Sequence, residues 1–287
     1  MKSFRVFLLL SCILIVPCRA QDGKEHAETE NSAVFAKPGV RSFFIASAEV
    51  LGVNFGVNAF DKIVLDADFA ETNPSFMWKH LSNGKWEFDQ NTFAINQFAH
   101  PYAGSLYFNA GRANGFNFYQ SFLFAAGGSL FWELFMETSP PSINDMIVTP
   151  FAGALWGEML HRLFVSTKGR FKSITWLISP QDAFNRFVTG MRLPDAGGGV
   201  ESLELFFGID LFSDFIKFSN TYNNARGIDI PVFAAGVKAV YGDPYGHKTE
   251  APFDQFTLDV SFAGFIDAYC VRIFANGLLY SIPVLRA

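Results

Sequence analysis

The stretch of residues 91–162 constrains the fold more than any other part of the chain. Most of it is apolar enough for a protein core or a lipid bilayer. It nevertheless contains several ionisable and amide side chains: Asn96, His100, Asn109, Arg112, Glu133, Asp145, Glu158 and Arg162. Because a buried charge is costly unless a partner neutralises it, we expect these side chains to find partners inside the fold.

The first part of this stretch predicts a long helix. Proline suits the first helical turn, and the residue before it avoids the helical region, so the helix should begin near Pro101. It should end at the Ser139-Pro140-Pro141-Ser142 segment. Such a helix is too long for one straight span, so we expect a break or a close crossing at Gly111, Gly115 or Gly127-Gly128.

A second helix should follow, with Ser142 as its N-cap. Asp145 then occupies the third helical position, which is a capping-box pattern with Asp in place of Glu or Gln. Asp145, Thr149, Gly153 and Gly157 recur every four residues and should form one small, polar stripe. The pairs Gly153-x3-Gly157 and Gly111-x3-Gly115 permit close helix approach, so the two helices should form a hairpin.

Three interpretations of the polar residues stay open. They could form an internal ion-pair network in which Arg112 and Arg162 neutralise Glu133, Asp145 or Glu158. They could line a polar pathway or ligand site, since ionisable residues in a membrane are functional candidates. The spacing Glu158-x2-His161 also occurs in di-metal helix bundles, but those bundles need a second such motif, and we assign no metal. The predicted buried polar network comprises Asn96, His100, Tyr102, Asn109, Arg112, Glu133, Asp145, Glu158 and Arg162.

The same residues carry a family resemblance. The segments HPYAGSLYFNAGR, GSLFWE, PPSINDMIVTP and GALWGEMLHR resemble the core block of a bacterial envelope family, domain of unknown function 3943. The similarity runs from about residue 76 to residue 186 and includes SPQDAFNRF. The resemblance implies a secreted protein of Gram-negative bacteria whose later part forms membrane β-strands, and it supplies no reaction. It also favours a helix over residues 41–65, where helical and strand-like patterns compete.

The N-terminal sequence predicts export. Lys2 and Arg5 precede an apolar run, and Cys18-Arg19-Ala20 offers a cleavage site, so residues 1–20 should be a signal peptide. Lipidation at Cys12 or Cys18 is an alternative. Residues 21–40 are polar and acidic and should form a disordered tether. Removal of the signal leaves only Cys270, which excludes an intramolecular disulfide. The net charge of −5 and the lack of basic runs argue against nucleic-acid binding.

The last third of the chain changes to a period of two. Within residues 200–287, alternating apolar side chains predict five strands of membrane-spanning length, at 201–211, 214–222, 230–241, 255–266 and 268–280. Phenylalanine provides 35 of 287 residues, as lipid-facing barrels with aromatic girdles require. Bacterial barrels start at about eight strands. The chain could therefore add N-terminal strands, share a barrel in a homo-oligomer, or be shorter than its relatives.

The sequence thus predicts an α+β protein, with a helical core block at residues 41–192 followed by antiparallel strands of a transmembrane β-barrel or curved sheet. The connector at 66–90 should be rich in loops, and the hairpin should lie against or inside the sheet. We expect an outer-membrane or cell-envelope protein of structural or transport type, with membrane lipid as partner and no cofactor. The alternative is an envelope enzyme acting on lipid or glycan, with acid/base candidates His100, Glu133, Asp145 and Glu158. Arg112 should pair with Asp145 or Glu158 from the second helix.

Overall fold

The computed structural model describes residues 14–15, 38–167, 172–189, 199–212, 230–243, 251–265 and 268–280. The chain divides into two compact units. The helical unit is Ala27–Gly197, and the sheet unit combines Met1–His26 with Gly198–Ala287. The predicted α+β class is therefore confirmed, and the sheet is open among the described strands. The expected packing of the hairpin against the sheet stays a prediction.

The described part of the helical unit contains α1 (Val40–Ile63), α2 (Pro74–Asn83), α3 (His100–Ala113), α4 (Phe118–Phe131), α5 (Ile143–Ser166), α6 (Lys172–Ile178) and α7 (Pro180–Thr189). The helix favoured for residues 41–65 is thus present as α1. The prediction of a loop-rich connector at residues 66–90 was only partly right, because this segment contains α2. Asn73 and Gly84 are the two ends of that helix: the Asn73 side chain accepts from Ser75 and Phe76, and Gly84 is left-handed with φ 56°.

The predicted long helix is broken into α3 and α4 by a turn at residues 114–117. Gly115 has φ 89°, which favours glycine, so it makes the turn and not a close helix approach. Asn117 and Gln120 then form a capping box that starts α4. A π-helical turn, Trp132–Met136, ends this arm of the hairpin. Gly111, in contrast, packs closely on α4, since an added Cβ would lie 2.9 Å from the Ser121 Cα.

The prediction that His100 leaves the helical region was wrong. His100 has φ −63° and ψ −49°, and a π-helical turn, Ile95–Ala99, precedes it. In that turn the His100 N–H donates to the Ile95 carbonyl, five residues back. The wider hydrogen-bond spacing accommodates Pro101, which has no N–H to donate. Helical backbone therefore enters α3 from further upstream than the proline rule predicts.

Helix α3 is the centre of the helical unit. Its buried Tyr107 and Phe108 pack with Val50 of α1, Ala125 of α4 and Ala154 of α5. The Tyr107 hydroxyl donates to the buried Asn54 side chain at 3.1 Å. This central position places the polar residues of α3 between the other helices.

The sheet unit is an antiparallel meander. Its strands are β1 (Leu14–Ile15), β2 (Val200–Phe212), β3 (Ile230–Tyr241), β4 (Phe256–Phe265) and β5 (Ala268–Gly277), paired in chain order. Four of the five predicted strand segments are thus present, and the segment at 214–222 lies outside the described residues. The short β1 pairs with β2 but lies in the predicted signal peptide, so this pairing would exist only in the uncleaved chain.

The two faces of the sheet differ in polarity. Leu205 pairs with Val237, Val237 with Val260, and Val260 with Ile273, so one face is apolar across the strands. Several of its side chains are exposed, among them Phe207, Phe233 and Phe262. On the opposite face Glu204 and Asp259 flank Lys238 in register. The predicted alternation is confirmed, with its apolar face largely uncovered.

Candidate functional site

Buried and half-buried polar side chains meet at one end of the helical hairpin, in what we call the acid cluster: Asp89, His100, Glu133, Glu137 and Asp145. Glu133 and Asp145 are 1% and 2% exposed. The cluster gathers where α4 ends, α5 begins and α3 begins. It is therefore built by the turn that joins the two arms of the hairpin.

Glu133 and Ser142 cap the start of α5 together. The Ser142 hydroxyl accepts from the Asp145 N–H at 3.2 Å, as the capping-box pattern predicted. The Ser142 N–H donates to Glu133 Oε2 at 2.7 Å. In an ordinary capping box the acid at the third helical position accepts this second bond. Here Glu133 does so from the preceding π-turn, which leaves the Asp145 carboxyl available to other partners.

Asp145 joins the loop before α3 to the start of α5. The Asn144 amide donates to Asp89 Oδ1 at 2.9 Å and to Asp145 Oδ1 at 3.1 Å. His100 Nε2 lies 3.5 Å from Asp145 Oδ2, and its Nδ1 lies 3.4 Å from the Thr149 hydroxyl. The predicted stripe of Asp145 and Thr149 therefore faces His100 across the hairpin.

The acid cluster retains protons. Burial raises the pKa of Asp145 to about 7, and a hydrogen bond to Asp89 adds to the increase. Burial also raises the pKa of Glu133 to about 7 and that of Glu137 to about 9, where neighbouring Glu133 contributes. Although burial acts to raise it, the pKa of Asp89 is lowered by hydrogen bonds from Asn144 and Asp145. The carboxyl groups thus titrate as interacting pairs, Asp145 with Asp89 and Glu137 with Glu133.

His100 has a lowered pKa, since burial disfavours the imidazolium, although Asp89 acts in the opposite direction. A lowered pKa favours the neutral ring near pH 7. His100 therefore contributes little positive charge to the acid cluster. The carboxyl groups of the cluster are stabilised by bound protons and by hydrogen bonds.

A second group, the arginine cluster, comprises Arg112, Glu158 and Arg162. The Arg112 Nε lies 2.7 Å from Glu158 Oε2, and the Arg162 Nε lies 2.8 Å from Glu158 Oε1. Arg112 also donates to the Phe116 carbonyl at 2.7 Å. The predicted pairing of Arg112 with a carboxylate of the second helix is present, and the partner is Glu158. Glu133 and Asp145 do not pair with these arginines but belong to the acid cluster.

A third group joins α3, α5 and α7 and contains Asn109, His161, Ser179 and Asp182. His161 Nδ1 lies 2.8 Å from Asp182 Oδ1, Ser179 donates to Asp182 Oδ2 at 2.5 Å, and Asn109 donates to Ser179 at 3.1 Å. Asp182 stands between Ser179 and His161. Nucleophilic catalysis requires the histidine to contact the hydroxyl, so this order does not activate Ser179.

The Glu158-x2-His161 pattern does not form a joint ligand set. Glu158 contacts two arginines, whereas His161 contacts Asp182. Across the part of the chain that the structure describes, no three His, Cys, Asp or Glu side chains are arranged to hold a metal ion.

Two residues predicted for the buried network do not belong to it. Tyr102 is 53% exposed. Asn96 lies in the π-turn before α3, where its amide donates to the Asn91 carbonyl at 3.2 Å. The Asn96 side chain is half-buried, and this hydrogen bond is local and joins neither cluster.

The model of one protein family, described as a domain of unknown function (DUF3943), matches residues 85–177. The match confirms the resemblance to domain of unknown function 3943 over this segment. The matched segment contains the whole acid cluster and the whole arginine cluster. It ends before Ser179 and Asp182, so the third group is only partly inside it. No curated protein and no solved structure matches the chain.

Some polar partners in this protein were missed by the sequence reasoning. Asp89 lies in the predicted loop-rich connector and Glu137 at the end of the predicted long helix, so nothing in their spacing indicates a shared cluster. Glu49 of α1 accepts from Gln181 at 2.9 Å and from Asn185 at 2.8 Å, contacts that are remote in sequence. Ser179-x2-Asp182 is a capping pattern before a helix, which could have indicated a structural role.

Raising the pH is expected to destabilise the helical unit. Glu133 and Glu137 have folded-state pKa values of about 7 and about 9, above the ordinary value of 4.5. The folded state therefore binds more protons than the unfolded chain, so this stabilisation is full below pH 4.5 and is lost as the pH rises through 7 to 9. Glu137→Gln should remove the upper part of the loss in a plot of Tm against pH. Glu71→Gln, in an exposed ion pair with Lys62, is the control. A wild-type Tm that stays constant over this range would contradict the acid cluster as described.

Proposed function

We propose that this protein is an outer-membrane-associated envelope protein of structural or transport type. In this proposal β2–β5 are membrane-spanning strands of a barrel or curved sheet, and the outer surface of the helical unit contacts lipid. The observation that carries it is the polarity of the helical unit, whose interior holds charged and polar side chains beside its apolar core while its surface holds large apolar side chains.

Large exposed apolar side chains occur on α1, α4 and α5. Phe55 of α1, Leu123 of α4 and Phe151 of α5 are 56%, 68% and 60% exposed, while Glu133 and Glu158 are each 1% exposed. A water-soluble fold would gain by the opposite arrangement, because burying apolar surface stabilises by about 25 cal/mol per Å². In lipid the apolar surface carries no such cost, and polar residues are confined to the interior.

Two further features support contact with lipid. Of the described helices, only α1 has both the length and the hydropathy of a membrane span, and just 17% of its most apolar window is buried. Core helices and signal sequences share that length and hydropathy, so the low burial is the informative part. The exposed apolar face of the sheet, opposite a charged face, agrees with strands that contact lipid on one side.

Membrane fractionation tests the proposal. The full chain, expressed in a Gram-negative host, should sediment with outer membranes and require detergent for extraction. Replacing Leu123 and Phe151 together by glutamine should weaken membrane retention, since about 0.8 kcal/mol is lost per CH₂ group withdrawn from lipid. Lys79→Gln, at an exposed polar position, should change nothing. A protein that fractionates with soluble periplasmic proteins, and gains solubility from the double change, would refute the proposal.

A further inference from the structure

An apolar groove of about 410 Å³ lies between α1 and α4. Its lining contains no ionisable side chain, and its polar side chains are Ser47 and Gln120. The rest of the lining is aliphatic, aromatic or glycine, including Phe43, Leu51, Leu123, Phe124, Phe131 and the pair Gly127-Gly128. The groove is open to the outside along the same apolar surface on which Leu51 and Leu123 are exposed.

The chemistry of the lining selects its occupant. A peptide strand would bring an N–H and a C=O with each residue, and the lining offers almost nothing to hydrogen-bond them. A helix is about 10–12 Å across, so a groove of this volume accommodates little more than one turn. A charged headgroup would find no counter-charge. A flexible hydrocarbon chain has no hydrogen bonds to satisfy and can follow a narrow, irregular space.

We propose that this groove holds one acyl chain of a membrane lipid. The inference rests on the proposed function, because it requires the helical unit to meet lipid. It goes further because it assigns one fixed site, between α1 and α4, to a single acyl chain. The rest of the apolar surface would contact lipid without selecting a position.

Two neighbouring glycines give the site its depth. A Cβ at Gly127 would have nothing within 4 Å, so a side chain there extends into open space. A Cβ at Gly128 would lie 2.6 Å from the Tyr107 ring and 2.9 Å from Val50, so this glycine lets α4 approach the core. Gly127 can therefore be enlarged to fill the groove without disturbing the packing, whereas Gly128 cannot.

A matched pair of substitutions tests the proposal. Gly127→Leu fills the groove, and Gly56→Leu places the same side chain on an exposed helical position of α1 that also has nothing within 4 Å but does not line the groove. Each purified full-length protein is placed in phosphatidylethanolamine–phosphatidylglycerol vesicles doped with a phospholipid that carries a diazirine on one acyl chain. After irradiation, labelled residues are mapped by mass spectrometry.

We expect labelling of the wild type to concentrate on residues 43–51 and 120–131. It should fall about tenfold, the equivalent of ~1.4 kcal/mol, in Gly127→Leu and persist in Gly56→Leu. Labelling spread evenly over the apolar surface and equal in both variants would overturn the acyl-chain site while leaving the proposed function intact. A protein that neither enters vesicles nor is labelled would overturn both. A change from dimer to monomer in Gly127→Leu alone would assign the groove to a second copy of the chain and likewise refute the proposal.

Discussion

Replacing Glu158 by glutamine is expected to cost about 3–5 kcal/mol of the free energy of unfolding. Glu158 is 1% exposed and is the carboxylate that both Arg112 and Arg162 contact at 2.7 and 2.8 Å. The side chains of the two arginines are only 16% and 14% exposed. Removing the carboxylate charge therefore leaves two guanidinium groups close together and largely desolvated, which is more costly than either pair alone is stabilising.

The arginines should be less sensitive than the glutamate they share. Arg112→Met leaves Glu158 paired with Arg162, so we expect a smaller loss, about 1–3 kcal/mol. Adding Arg112→Met to Glu158→Gln should restore part of the stability, because it removes one of the two uncompensated charges. Glu158→Gln should therefore cost more stability than Arg112→Met, because Glu158 has two arginine partners. If Arg112 and Glu158 formed a simple pair, the two single changes would be equally severe.

Chemical or thermal unfolding of the detergent-solubilised protein, followed by circular dichroism, measures these effects. Glu71→Gln is the matched control, since it breaks an ion pair of 2.7 Å to Lys62 whose side chains are 60% and 44% exposed. Exposed pairs contribute about 0–1 kcal/mol, so the control should stay close to wild type. A Glu158→Gln protein with full stability but altered envelope function would identify the arginine cluster as a ligand site instead.

The sequence predicted those features of the fold that depend on local chemistry. Ser142 caps α5 because a hydroxyl in that position can accept from the N–H three residues on. The alternation from Glu201 onwards predicted strands because successive side chains of a strand face opposite sides. The pairing of Arg112 was predictable as well, since a buried charge needs a counter-charge and α5 supplies Glu158.

Other features depend on contacts that no local pattern encodes. Pro150 would ordinarily end a helix, yet it is buried within α5, which continues to Ser166. Tertiary packing against α3 overrides the local cost there. Glu133 was one of three carboxylates that the ion-pair interpretation allowed as partners of the arginines, but the turn of the hairpin brings it to the Ser142 N–H. The pairing of His161 with Asp182 depends on where α7 folds back, which spacing along one helix cannot reveal.

The crossing of α3 and α5 should tolerate added side-chain volume less than any other point of the hairpin. A Cβ on Gly104 would clash with the backbone carbonyl of Thr149, and one on Gly153 would lie 2.9 Å from the Gly104 carbonyl oxygen. Both obstacles are backbone atoms, which cannot rotate away as a side chain can. Gly104→Ala and Gly153→Ala must therefore push the two helices apart, and we expect each to cost about 3 kcal/mol, the upper end of the usual cost of overpacking.

Separating these helices would also disturb both polar clusters, because His100 meets Asp145 and Arg112 meets Glu158 across the same interface. Gly127→Ala is the control: it makes the same change in α4 with nothing within 4 Å, and it should stabilise by about 0.5–1 kcal/mol through helix propensity. The free energies of unfolding of the three variants are measured under one set of conditions. Their comparison separates the effect of crowding the crossing from the general effect of replacing a glycine. Equal stability of Gly104→Ala and Gly127→Ala would mean that α3 and α5 do not approach as described. The ion pairs would then need some other means of being held together, since it is the two glycines that bring the backbones close enough for short side-chain contacts across the hairpin.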